Sequence, residues 1–394
     1  MDTLRDRSNE NRLEKEKGRR KVLAVIASAA AVAVCIFIVY LIWNGVRTKQ
    51  YTGYTEVDSF ARADSNNVEY MYYESGLLKY SRDGAAGIGS DGTALWNGSY
   101  EMGNPMVDTC GTYVAVADQG GKEVYVYNGS DDGTVLEMPL PVTMVKVASQ
   151  GVIAVVLEDA SSNVVALYDP YSSDEKLLVE VPSNVSEDGY PVDIALSADA
   201  KSLVTVYLAI RDGVQESNIC FYNFSEVGQD KNRIVGGKTY KDSFAIGAEF
   251  VGNNSVCIFL DNGFSLFSNM KKPEEAASET FEKEIVSSVY DDGYVGFLFA
   301  ESEEDASHSL KLYNSSGKTV LEKTVNCEYN KVYMNKGEII FLSDMSCMIL
   351  RVNGSEKLNC QFDSPVQYVF RANGKELYYF IDDATITKAK LTEG

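Results

Sequence analysis

The phrase LKLYNSSGKTVLEKTV at residues 310–325 recurs in altered form along almost the whole chain. It reads as a β-hairpin. Alternating Leu310, Leu312 and then Tyr313 lead into Asn-Ser-Ser-Gly, a turn rich in residues that tolerate positive φ, and a second alternating run leads out. VYVYNGSDDGTVLEM, VALYDPYSSDEKLLVEV, ICFYNFSEVGQ, FSLFSNM and MILRVNGSEKLNCQF repeat it. Aligned on one residue of the third strand of each unit, the copies fall at Tyr80, Tyr127, Tyr168, Tyr222, Phe267, Tyr313, Arg351 and Thr387. The steps between them are 47, 41, 54, 45, 46, 38 and 36 residues, close to the period of a four-stranded propeller blade.

Each unit also offers two strands ahead of the hairpin. PVDIALSADAKSLVTVYLAIRDG, NKVYMNKGEIIFLSD and PVQYVFRANGKELYYFIDD each give an inner strand, a turn and a second strand. Near-continuous apolar second strands such as IIFL and VCIFL suit strands covered on both faces by neighbouring blades, which favours a closed propeller over an open solenoid. The last unit has only three strands, VQYVF, ELYYFI and TITKAKL, so residues 51–57 are expected to supply its fourth and close the ring without an unpaired edge. The expected fold is an all-β, eight-bladed β-propeller over residues 51–394, with seven blades as the alternative count, preceded by one N-terminal transmembrane helix.

That helix is residues 22–43, VLAVIASAAAVAVCIFIVYLIW, which carry no charge. At 1.5 Å per residue, such a run crosses a hydrocarbon core of about 30 Å. A cleaved signal peptide has a shorter apolar region and a small-residue site beyond it, whereas this run ends in bulky Phe37, Tyr40 and Trp43, so it reads as an uncleaved signal anchor. Cys35 follows Val34 rather than a small residue, which argues for a buried helix cysteine and not a lipidated one. Residues 1–21 read as a solvated cytoplasmic tail and 44–50 as a connector. Lys and Arg cluster before the helix, so the N-terminus is expected in the cytoplasm and the C-terminal domain outside the cell.

Charge divides along the same line. Before residue 44 there are eight basic and five acidic residues, a net of +3, while the whole chain carries −21. The remainder is therefore at −24, and nucleic acid is excluded as a partner because phosphate contacts need a cationic face.

The repeats over residues 51–392 resemble the WD-type and quinoprotein-type propeller repeats, with DGTALW at Asp91 to Trp96 similar to the end of a quinoprotein-like repeat. The basic tail, single helix and acidic propeller, with the run TGYTEVDSFARADSNNVEYMYYESGLLKYSRDG, resemble a membrane-anchored family of unknown function from Gram-positive bacteria of the Clostridia type. The resemblance implies a location and a fold rather than an activity.

Catalytic constellations are scarce. His308 is the sole histidine, in the polar stretch ESEEDASHSLK expected to be an exposed loop, so no Ser-His-Asp, Cys-His or multi-histidine metal arrangement can form. No cofactor is implied and no metal site is expected. SDGTALW lacks the spacing of the sialidase signature, and the chain reads as a non-enzyme, with a quinoprotein-like or carbohydrate-active propeller enzyme as the alternative.

Two sets of residues stand out. Cys347 and Cys360 are placed symmetrically about Asn353-Gly354, so a two-residue turn there makes them a directly opposed, non-hydrogen-bonded pair. That pair is a candidate disulfide, with two reduced thiols packed side by side as the equal alternative. Second, a carboxylate ends each second strand: Glu74, Asp118, Asp159, Asp212, Asp261, Glu301, Asp344 and Asp382. Equivalent turns of a propeller emerge on one face, so the eight are expected to form a ring. Asp at a turn often caps its own backbone amides, which is the plainer explanation; the functional one is an electronegative face for a basic partner segment or for divalent cations, bound diffusely and weakly because no loop has the spacing of a dedicated calcium site. Asn-x-Ser triplets at Asn97, Asn128, Asn184, Asn223, Asn253, Asn314 and Asn353 read as turn residues. Together these features point to a single-pass, membrane-anchored extracellular propeller that acts as a protein- or ligand-binding or scaffolding module at the cell envelope, with an envelope protein or a basic ligand as its expected partner.

Overall fold

The computed structural model describes residues 48–62, 67–74, 76–130, 133–160, 162–225, 228, 233–301 and 307–393, together with residues 32, 34–37 and 45. The chain divides into two units, residues 1–50 and 51–394. The expected cytoplasmic tail and most of the apolar run at 22–43 lie outside the described residues. Residues 32, 34–37 and 45 are helical, and among the described residues no helix is long and apolar enough to cross a membrane.

Among the described residues, 32 strands form eight antiparallel four-stranded sheets, the blades of a propeller. Blades 1 to 7 take consecutive strands from residues 69–99, 105–137, 142–184, 190–240, 245–280, 285–326 and 331–361. Blade 8 joins residues 368–392 to the strand Gly53–Ala61 from the other end of the domain. The sequence expects residues 51–57 in this place, and the strand runs slightly further, with Gly53 opposite Thr392 and Ala61 opposite Thr385. Tyr51 adds a second tie, a parallel bridge to Leu358 on the outer strand of blade 7. The ring is thus closed by the first and last strands of the propeller in one sheet, which leaves neither as a free edge.

Because the strands of a blade alternate in direction, the turns divide between two faces. Turns from first to second strand and from third to fourth share one, here the first-turn face. Turns from second to third strand, and the segments leading to the next blade, share the other, the second-turn face. Gly53 pairs with the end of the third strand of blade 8, so the chain enters the propeller at Tyr51 on the first-turn face.

The core lies between blades. The strand Ile153–Glu158 sends Val155 and Leu157 to a cluster shared with blade 2, and Ala154 and Val156 to one shared with blade 4. Both faces are covered, which is why the second strands read as unbroken apolar runs.

Blade 1 departs from the sequence alignment. Tyr80 ends its second strand, Gly76–Tyr80, and its third strand is the small-residue run Gly84–Ile88. A Cβ on Gly87 would stand 2.4 Å from Nε1 of Trp96, its cross-strand partner. Trp96 instead fills that space and stacks on Tyr127 of blade 2 at 4.3 Å between ring centroids. The bulk that other third strands carry themselves is supplied here by the neighbouring strand.

A buried ionic network pins blade 7 to blade 8. Lys357 Nζ lies 2.7 Å from Glu338 Oε1, with each residue 4% exposed, and Arg371 approaches the same oxygen at 3.3 Å. Tyr378 donates its hydroxyl to the other Glu338 oxygen, and Lys357 also donates to the Lys375 carbonyl at 2.5 Å. Burial pulls the Lys357 ammonium below its ordinary pKa, partly offset by Glu338. Removing one partner of such a pair strands a charge. Lys357→Met is therefore expected to cost about 3 kcal/mol in denaturant unfolding, and the double variant Glu338→Gln/Lys357→Met to recover most of the loss. Equal losses in single and double variants would show that packing, not charge, holds this contact.

Candidate functional site

Seven of the eight singled-out carboxylates stand on the second-turn face: Asp118, Asp159, Asp212, Asp261, Glu301, Asp344 and Asp382. Glu74 does not. It lies between the first and second strands of blade 1, on the opposite face and at φ +54°, and Asp83 occupies the place expected of it. The misplacement follows from taking Tyr80 as a third-strand residue.

Most of these carboxylates bond within the chain. Asp118 Oδ1 accepts from the Asn104 amide at 2.7 Å, Asp261 Oδ1 from the Phe244 amide at 2.9 Å, and Asp344 Oδ1 from the Asn330 side chain at 2.7 Å. Both oxygens of Glu301 accept from Lys283 at 2.8 Å, which holds its carboxyl below the usual range. Each of the four ties its turn to the segment that leads into the same blade. Asp159 and Asp382 cap local amides at Ala160, Ala384 and Thr385. Asp212, at φ +52° and followed by Gly213 at φ +80°, forms the tight turn of the longest hairpin. The ring therefore serves chiefly to fasten turns.

Cys347 and Cys360 are directly opposed, as their spacing predicts, and stand as free, buried thiols. The route to that register differs from the expected one. Arg351 and Ser355 close a three-residue loop, Val352-Asn353-Gly354, with Gly354 at φ +80°. A bulge between Ile349 and Leu350 then restores the shifted register. Burial raises the Cys347 thiol well above its ordinary pKa and pushes Cys360 up to about 11. His308 is not in a loop either: it sits on the third strand of blade 6, with its ring 5.0 Å from that of Tyr329. The Asn-x-Ser reading is clearest at Asn128, Asn314 and Asn353, whose side-chain oxygens accept from the serine two residues on.

A different group converges on the central channel. The inner strands Pro105–Cys110, Val142–Val147, Tyr190–Leu196, Ala245–Phe250 and Ile285–Asp291 bring Asp108, Lys146, Asp193, Glu249 and Tyr290 toward their ends on the first-turn face. Lys146 Nζ of blade 3 reaches past blade 4 to Glu249 Oε1 of blade 5 at 2.8 Å, and stands 3.9 Å from Asp108 Oδ1 of blade 2. Tyr290 of blade 6 donates to the same Glu249 oxygen at 3.1 Å. A cavity of about 560 Å³ opens here, lined by Asp108, Lys146, Glu249, Tyr290, Asp291 and Asp292 among others.

The carboxylates also join neighbouring blades. Asp108 Oδ2 accepts from the Val147 amide at 2.7 Å, Asp193 Oδ2 from Ala248 at 2.8 Å, and Asp291 Oδ2 from Gly337 at 2.6 Å. A Cβ on Gly247 would meet Asp193 Oδ2 at 3.0 Å, so glycine there leaves room for this bond.

Burial pushes the Asp108 carboxyl up to about 6, against the pull of Lys146, and raises Asp193 for the same reason. Burial alone would lower the Lys146 ammonium, but Asp108 and Glu249 outweigh it and the group is held protonated. A lysine so held has no free lone pair for attack or proton abstraction. The carboxylates outnumber the ammonium, so the mouth carries a negative excess suited to a cationic group. Sequence reading passed over these residues; their one signal is a single charge in each of the otherwise apolar inner strands MVDTC, MVKV, PVDIA and GAEF.

A folded-state pKa near 6 against an ordinary 3.8 means that the folded chain holds the Asp108 proton more tightly than the unfolded one. That contribution to stability is complete below about pH 4 and is lost as pH rises through about 6. Asp108→Asn cannot titrate, so thermal unfolding should show the variant gaining on the wild type between those limits by up to about 3 kcal/mol. A wild type that gains on the variant over this window would mean that Asp108 is stabilised as the carboxylate.

Comparison with known proteins adds a family and a fold. A family model described as a family of unknown function (DUF5711) matches residues 47–391. No curated protein matches the chain in sequence. Among solved structures, the Dos1 propeller is similar at 10% identity over 86% of this chain and 97% of that one, with a TM-score of 0.52. The Neurospora crassa Pan2 WD40 domain is similar at 9% identity over 88% and 99%, with a TM-score of 0.43.

Proposed function

The chain belongs to the DUF5711 family, and from that premise and the channel mouth we propose that it is a binding module held at the cell envelope, receiving a basic group of a partner protein on its first-turn face. The observation that carries the reading is the cavity of about 560 Å³ lined by four carboxylates, Asp108, Glu249, Asp291 and Asp292, and one ammonium, Lys146, from blades 2, 3, 5 and 6. A protein side chain ending in an ammonium or guanidinium matches that excess and would exchange with Lys146 for Glu249 and Asp108. The propeller fold supports a protein-binding role, since it presents a rigid face built from many short turns. The apolar run at 22–43, preceded by Arg19, Arg20 and Lys21, supports anchoring with the propeller outside the cell.

Two measurements test this. A fluorescent lysine-rich peptide titrated against the purified chain should bind about tenfold more weakly to Asp108→Asn/Glu249→Gln, a loss of about 1.4 kcal/mol, and more weakly in high salt. Asp118→Asn/Asp261→Asn/Asp344→Asn, on the opposite face, should leave binding within about twofold. The reverse ranking would move the site to the second-turn face. For location, full-length chain should sediment with membranes and a chain lacking residues 22–43 should not; equal recovery in the soluble fraction would remove the anchor.

A further inference from the structure

The contact between blades 3 and 4 contains polar groups that the fold leaves without partners. Of the eight buried, unpartnered side-chain polar atoms among the described residues, four belong to this contact: both amide atoms of Asn163, Oγ1 of Thr205 and Oη of Tyr207. Strand alternation sets their direction. Val165 and Leu167 pack in the cluster shared with blade 4, so Asn163, two residues before Val165 on the same strand, faces blade 4 as well. Leu203 packs in that same cluster from the other side, and Thr205 and Tyr207 share its face. The three are buried to 1%, 0% and 1% exposure.

A further hydroxyl and a thiol stand beside them. Ser183 is opposite Asn163 in register and Cys220 is opposite Thr205. Burial raises the Tyr207 phenol, while the hydroxyls of Thr205, Tyr222 and Ser183 lie near enough to moderate that rise; even so, Tyr207 Oη makes no hydrogen bond of normal geometry with any of them. The next contact round the ring handles the same positions differently. There the equivalents of Thr205 and Tyr207 are Ile258 and Leu260, both packed among apolar side chains. These two second-strand positions are therefore polar in this contact and apolar in the next.

We propose that the blade 3–4 contact is an internal hydration site, in which ordered water bridges Asn163, Thr205 and Tyr207. A buried amide and two buried hydroxyls are costly when left unbonded, and water is the one ligand small enough to enter a close-packed contact while donating and accepting at once. Asn163 brings two donors and an acceptor, and each hydroxyl can donate or accept, so bridging water finds the two to four polar partners it requires.

The sign of a conservative substitution tests the site. Where water bridges these groups, Thr205→Val and Tyr207→Phe each remove one of its partners, and Tm should fall by about 2 °C or more in each variant. Where the hydroxyls are simply unpaired, deleting either removes a penalty, and a rise in Tm would overturn the proposal. Direct bonds between the side chains would also lower Tm, so a high-resolution crystal structure of the wild-type chain separates the two. Ordered density within hydrogen-bonding distance of Asn163, Thr205 and Tyr207 supports the proposal, and a dry contact with the side chains bonded to one another overturns it.

Discussion

A four-stranded sheet that is apolar on both faces cannot stand in water, and every blade here is such a sheet. Each must be covered twice, and the only arrangement in which identical units cover one another without end is a ring. The strand Gly53–Ala61 makes the ring possible. It lies hundreds of residues from Thr385–Thr392 in sequence and pairs with it along its length, so the last sheet is completed by the first strand of the domain. Tyr51, bridging onward to blade 7, and the buried Glu338 and Lys357 pair reinforce the same junction.

Within this frame, polar groups occupy three kinds of place. At the turns, Asp118, Asp261 and Asp344 are occupied by donors of their own blades. In the channel, Asp108, Asp193 and Asp291 each accept an amide from the next blade, so they brace the ring while leaving a negative mouth around Lys146. Between blades, two polar contacts contrast. The blade 7–8 contact holds Glu338 among Lys357, Arg371 and Tyr378, whereas the blade 3–4 contact carries the unpartnered polar atoms of Asn163, Thr205 and Tyr207.

The candidate site was less legible than the fold because turn carboxylates are conspicuous in sequence and inner-strand charges are not. An Asp after an apolar strand looks the same whether it caps an amide or faces solvent. Asp108, Lys146 and Glu249 lie far apart along the chain, and nothing local signals that they share a channel. Glu74 shows the same limit at the level of one blade. With Gly and Ala in its third strand, blade 1 lacks the aromatic that marks blades 2 to 6, because Trp96 supplies that bulk from the adjacent strand. The Cys347 and Cys360 register is instructive in another way, since a longer loop and a bulge compensate each other and return the pairing that a simpler turn predicts.

What the sequence determined by itself is whatever repeats at short range. Hairpin periodicity, apolar second strands and a last unit short of one strand specify a closed propeller, because pairing and burial within a blade involve residues only a few tens apart. What the tertiary structure alone decided is which side chains meet across blades: the face on which each turn emerges, the joining of Lys146 to Glu249 past an intervening blade, and the polar contact between blades 3 and 4. Those meetings depend on the angular placement of whole sheets around an axis, and no spacing along the chain encodes it.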